Sequence, residues 1–214
     1  MSAGMDDAEF DRALVGAAFA LAAEGGWRAV SVTAAARRAD LPLDRARGRF
    51  SGAAAVLMRF GRIADQAALA PTPAEGPPRD RLFDMLMRRI DVVQAHRAGV
   101  LALLRALPFD PCLAALLAAA NIRSMRWMLE AAGISARGPL GRLRTKGLLA
   151  LWLAVLRVWR SDGSEDLSAT MAALDRALTR AERLEGWLGG RRPPPQEPPP
   201  AAAAPAAEPD APAP

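Results

Sequence analysis

Arginine is the residue type whose placement promises chemistry in this chain. Between Arg28 and Arg62 stand eight arginines (28, 37, 38, 45, 47, 49, 59 and 62) against only Asp40 and Asp44, a local net charge of +6. Arg45 and Arg49 lie about one helical turn apart, with Arg47 on a different face. Guanidinium groups so spaced can enter a major groove together, bidentate to guanine or gripping phosphate. Ser31, Thr33 and Arg37 are candidate backbone contacts, which anchor a protein on DNA without reading its sequence. The competing reading is a solvated arginine-rich face left by GC-rich coding, which raises Ala, Arg, Gly and Pro together. Over the whole chain 28 basic residues oppose 23 acidic ones, a net charge of +5, and Lys146 is the lone lysine. That balance suits nucleic acid or an anionic surface, and its placement says more than its sum.

Catalytic chemistry is poorly served. His96 is the only histidine and Cys112 the only cysteine, and they fall on different predicted helices. Neither has the third partner of a nucleophile–base arrangement. No Cys/His spacing suits zinc, and LAAEGGW at 21–27 has too few glycines for a phosphate loop. The sequence predicts no enzyme, no metal and no cofactor. His96, at a helix end, is expected to cap carbonyls or to lie in solvent. One cysteine excludes an internal disulfide and suits a reducing cytosol. The acidic N-terminus MSAGMDDAEF does not read as a signal peptide, and no apolar run reaches the roughly 20 residues of a bilayer span. A cytoplasmic protein without an integral membrane segment is the expectation.

Helices must position these groups. Ala and Leu dominate, Tyr is absent, and nothing alternates with period two, so the chain reads as all-α. Phe10, Leu14, Ala17, Ala18 and Leu21 predict a first helix over 6–24, closed by Gly25-Gly26. Ser31 caps a short second helix running to Ala39. Asp40-Leu41-Pro42 is a turn, the third helix covers 43–49, and a fourth covers 52–69. Two short helices around a tight turn, clamped by longer neighbours, form a helix-turn-helix at 31–50.

PTPAEGPP at 71–78 separates this head (6–70) from a body (79–190) of five predicted helices. These cover 80–95, 98–107 (stopped by Pro108), 111–132 (capped by Asp110), 140–160 and 165–188. Leu167, Met171, Leu174 and Leu178 form the inward stripe of the last, giving about nine helices in all. The Pro/Ala-rich stretch 191–214 reads as a disordered tail.

The run GGWRAVSVTAAARRADLPLDRARGRF at 25–50, followed by a five-helix body, resembles the TetR family of transcriptional regulators. Trp27, Ser31, Ala36, Ala39, Leu41 and Phe50 match that family's pattern of aromatic turn, cap, packing residues and terminal Phe. Asp40 replaces its turn glycine and Pro42 its small polar cap. Arg47 and Arg49 stand in place of an aromatic and a histidine, and Ala53 in place of a phosphate-contacting lysine. The sequence is also similar to the lipid-binding auxiliary proteins of ubiquinone biosynthesis, which share the fold but carry degenerate helix-turn-helix segments. Gly26-Trp27, Phe50-Ser51-Gly52, Ala64-Asp65 and Asp175-Arg176 carry that second likeness.

The first resemblance implies operator DNA met by Ser31, Thr33, Arg37, Leu43, Asp44, Arg45, Arg47 and Arg49. It also implies a homodimer through the last two helices, where Ala150, Ala154, Ala172, Ala173 and Ala177 permit close packing. Either resemblance implies a hydrophobic small-molecule effector or lipid in the body. Phe83, Met87, Ile90, Leu103, Leu107, Met125, Met128, Trp152 and Leu156 are the candidate lining, with Trp127 beside them. Almost no fixed charge accompanies this set, which points to a lipid-like or aromatic ligand; plain core packing is the alternative for each residue.

Overall fold

The structure, a computed structural model, describes residues 5–71 and 76–188. The expected tail at 191–214, and part of the expected break at 71–78, lie outside the described residues. Among the described residues there are nine α-helices and no strand: α1 (Asp7–Gly25), α2 (Val32–Arg38), α3 (Leu43–Arg49), α4 (Ala53–Ala68), α5 (Pro78–Ala95), α6 (Arg97–Ala106), α7 (Pro111–Ala131), α8 (Gly138–Ser161) and α9 (Ser168–Leu188).

Local signals account for most of these ends. Asp6 opens α1 with a capping box: its carboxylate accepts from the Glu9 amide at 2.7 Å, and the Glu9 carboxylate accepts from the Asp6 amide at 3.2 Å. Asp110 caps α7 by accepting from the Leu113 amide at 2.9 Å, ahead of Pro111 in the first turn. Pro108 cannot continue α6, and a short 3₁₀ turn (Leu107–Phe109) finishes it.

Head and body share one apolar core that runs from Phe10 in α1 to Leu178 in α9. α1 and α6 approach each other closely. A Cβ on Gly99 would stand 2.3 Å from the carbonyl oxygen of Phe19, so only glycine lets the two backbones meet there. Among the described residues, no single helix is long and apolar enough to cross a membrane.

Close to the α1–α6 contact, the α5–α6 corner is tied to the α8–α9 corner. Arg97 donates to the Asp162 carbonyl at 2.7 Å, and its guanidinium lies 4.7 Å from the centre of the Trp159 ring. The Trp159 indole N–H donates in turn to the Gln94 side chain at 2.8 Å. Asp162 is buried, and its carboxylate accepts from the backbone and hydroxyl of both Ser164 and Thr170. Those bonds hold the carboxyl well below the usual carboxylate range, the Ser164 side chain contributing most.

This turn corrects the sequence reading in two places. The last helix begins at Ser168 rather than at Glu165, after Leu167 with φ +53°. Met171, expected inward, is 38% exposed, because Thr170 takes the inward register in order to reach Asp162. Leu167, Leu174 and Leu178 are buried as expected. Trp127 is also displaced from its expected place, being 61% exposed on the outer face of α7.

His96 joins α5 to α6, and its ring packs 5.5 Å from Phe19 and 5.6 Å from Phe60. It is half-buried against the head rather than solvated. Burial pushes its pKa below the ordinary 6.5. A histidine depressed in the folded state contributes stability that is complete above the unfolded pKa and is lost as the pH falls below it. The carboxylates held low by their partners (Asp7, Glu24 and Asp162) titrate beneath ordinary values of 3.8 to 4.5, outside this window. Thermal unfolding between pH 7.5 and 5.5 is therefore expected to show a melting temperature that declines toward pH 5.5. His96→Gln should flatten that decline; an equal slope in the variant would assign it elsewhere.

Candidate nucleic-acid interface

The second helix starts where Ser31 accepts the Ala34 amide at 3.1 Å, and it stops in a left-handed turn. The Leu41 amide donates back to the Ala36 carbonyl at 2.9 Å and the Asp40 amide to Arg37 at 3.2 Å, with Asp40 at φ +51°. This is the Schellman closure, with Ala36 and Leu41 buried as its apolar pair. The same closure ends α7, where Gly133 holds the left-handed position. Asp40 thus adopts the conformation a glycine would supply, which short polar side chains tolerate better than most.

α3 makes only two turns, and each face has a different use. Ala46 lies beneath it and Phe50 follows it, both buried. Arg45 and Arg49 face α1. Arg45 donates to the Asp7 carboxylate at 2.6 Å and to the Met5 carbonyl at 3.0 Å, with its guanidinium 4.5 Å from the Phe10 ring centre. Arg49 meets Asp7 at 2.5 Å and Asp11 at 2.7 Å. Asp11 is buried and also receives Arg59 of α4 at 2.9 Å. Hydrogen bonds donated to Asp11 and then to Asp7 hold the Arg49 guanidinium above its ordinary pKa, and those accepted from Arg45 and then Arg49 hold Asp7 below its own.

The pair expected to enter the groove together is therefore engaged inside the head. The local excess of positive charge is smaller than a count along the sequence suggests. Arg38, Arg45, Arg49 and Arg59 meet Glu24, Asp7 and Asp11, all from α1. Arg28, Arg37, Arg47 and Arg62 are exposed.

The outward side of α3 borders a cleft of about 430 Å³ between α2, α3 and the start of α4. Ser31, Thr33, Leu43, Arg47, Ser51 and Ala53 are among its lining residues, and Arg47 is the only charged one. No side chain caps α4 at Gly52, and the Ala55 amide donates to the Gly52 carbonyl at 3.0 Å, so the Ala53 and Ala54 amides are the ones that can donate to an anion. Ser31, Thr33, Leu43 and Arg47 are expected DNA contacts from the sequence; Ser51 and Gly52 enter there only through the second likeness, not as DNA contacts. Their signal was the break in helical pattern after Phe50. Asp44 is exposed in the first turn of α3, and Arg37 is exposed on α2.

The candidate ligand residues fall in two groups. Ile90, Leu103, Met125, Met128 and Trp152 are buried in the core, while Phe83, Met87, Leu107 and Leu156 are half-buried against it. The expectation that almost no fixed charge accompanies them needs correction. Arg89 is 5% exposed, 5.2 Å from the Trp152 ring centre, and ion-paired to Asp65 of α4.

No family model matches the sequence, and the curated proteins give no match. Among solved structures, the chain is similar to a TetR transcriptional regulator from Nitrosomonas europaea ATCC 19718. The TM-score is 0.66 at 22% identity, over 81% of this chain and 98% of that one. The likeness is one of fold, and it establishes the all-helical TetR-type architecture that the residues at 25–50 suggested.

Two substitutions test how the head is built. Asp40→Gly is expected to raise stability by about 0.5–1 kcal/mol, because glycine carries no Cβ penalty at positive φ. Asp11→Ala is expected to lower it by about 1–3 kcal/mol, since Arg49 and Arg59 lose a buried partner. Asp7→Ala, at an exposed pair, should change it little. Urea denaturation of the three variants measures all of this.

Proposed function

We propose that the chain is a homodimeric DNA-binding regulator whose helix-turn-helix meets an operator and whose body binds a small-molecule effector. The observation that carries this reading is the cleft between α2, α3 and the start of α4, with Arg47 as its single charged lining residue. Arg47, Leu43 and Asp44 face the major groove. Ser31, Thr33, Arg37 and the first-turn amides of α4 hold the flanking phosphates. Arg45 and Arg49 set the angle of α3 by gripping α1. The fold shared with a protein described as a transcriptional regulator supports the same reading.

Dimerisation through α8 and α9 is supported by what their outer faces carry. Leu143 is 59% exposed, Leu153 55% and Met171 38%, beside exposed Gly147, Ala150, Ala154 and Ala172. A two-fold interface on this face sets two recognition helices about one DNA turn apart. The wholly apolar isoprenoid of an accessory protein suits the body less well, because a charged pair borders Trp152 among the candidate lining residues.

Gel-shift titration of the purified protein on its own promoter fragment tests the proposal. Affinity should fall steeply with salt as counterions are released. Arg47→Ala should weaken specific binding by about 10–100-fold, the loss of one good base contact. No sequence-selective shift at physiological salt, or an Arg47→Ala protein with unchanged affinity, overturns the reading.

A further inference from the structure

A charged group stands in the middle of the body where packing alone has no use for one. Arg89 lies on the α5 face that buries Leu82, Leu86, Ile90 and Val93. Its Nη1 donates to Asp65 of α4, and its Nη2 donates to the Asn121 side chain of α7 at 3.1 Å. The second Asp65 oxygen accepts the Ser124 hydroxyl at 2.6 Å. Asn121, Ser124, Met125 and Met128 follow one another on a single face of α7, and the Trp152 ring closes the other side of the guanidinium. Desolvation pulls the Arg89 pKa down to about 10, so the side chain is charged at neutral pH.

Stability does not explain this arrangement. Desolvating two ions offsets most of their attraction, and apolar side chains of similar volume do as well or better. What the arrangement does provide is a planar donor fork shaped for a carboxylate, set among apolar and aromatic side chains. It also provides a way in. The Asp65 side chain is 27% exposed while that of Arg89 is 5% exposed, so the pair opens to solvent on the Asp65 side.

We propose that Arg89 anchors a site for an amphiphilic monocarboxylate, whose carboxylate takes the place Asp65 now fills. The Ser124 hydroxyl orients the head group, Asn121 holds the guanidinium, and the apolar part lies against Trp152, Met125 and Met128. This deepens the effector-binding part of the proposed function and rests on it. Asp65 belongs to α4, the helix whose first turn borders the cleft beside α2 and α3.

Calorimetric titration of the full chain with decanoate, and with decanol as its uncharged match, tests the site without DNA. Decanoate should bind at least tenfold more tightly than decanol. Arg89→Met should abolish that preference. Asp65→Asn removes the internal competitor yet can keep the Ser124 hydrogen bond, and it should tighten decanoate binding by about tenfold. A purely structural ion pair would not produce that gain. If Arg89→Met fails to fold, the Asp65→Asn comparison decides. Wild type and Asp65→Asn that both bind decanoate no better than decanol overturn the proposal. Decanoate binding by a protein that shifts no promoter fragment would leave this site standing and remove the regulator.

Discussion

The head depends on one buried carboxylate. Asp11 sits near the start of α1 and is 2% exposed, with Arg49 of α3 and Arg59 of α4 on its oxygens. Three helices thus share a single anion. Because a buried charge is tolerated only when its hydrogen-bonding capacity is met, this constraint fixes direction as well as distance. α3 is too short to hold its own orientation by packing, with Ala46 as its one buried side chain. The two guanidinium groups one turn apart, gripping Asp7 and Asp11 one turn apart, supply what that small apolar contact cannot.

From α1 the constraint passes to the body by contact rather than charge. Phe19 meets Gly99 backbone to backbone, and His96 packs against Phe19 and Phe60, whose own rings stand 4.3 Å apart. α4 makes the second connection, through Asp65 to Arg89 and Ser124. The two ion-pair centres differ in kind. At Asp11 the guanidinium groups are 23–30% exposed and hold the head together. At Arg89 the cation is the buried partner and the carboxylate the open one. An exchange with a solute's carboxylate is easier at the second centre, where the internal anion already reaches solvent.

Much of the fold was legible in the residues. Periodicity and caps placed nine helices to within a few residues, because Asp6, Ser31, Asp110 and Pro111 act locally and need no tertiary partner. Asp40, read as a departure from a turn glycine, proved to keep the glycine's conformation. The faces of the arginines were not legible from a window of charge alone. Asp7, Asp11 and Glu24 precede that window and reach it only through the fold. A signal did exist: carboxylates at 7 and 11 and guanidinium groups at 45 and 49 have matching helical spacing. Met171 and Trp127 were misplaced because an apolar residue in a helix says little about its own direction. A neighbour with a polar partner, as Thr170 has in Asp162, can take the inward position.

The same geometry limits how the proposed regulator reads DNA. A two-turn helix with one side toward the core and another toward α1 leaves Leu43, Asp44, Arg47 and Gly48 outward, and only Arg47 can make a bidentate contact with guanine. In the proposed complex Ser31, Thr33 and the amides that open α4 meet phosphates, contacts that carry no base information. An interface with one strong base reader per protomer must draw its selectivity from half-site spacing and duplex shape as much as from base edges. In that proposal the dimer face on α8 and α9 acts in recognition as directly as the helix-turn-helix does. It fixes the separation at which two such sparse readers become selective together.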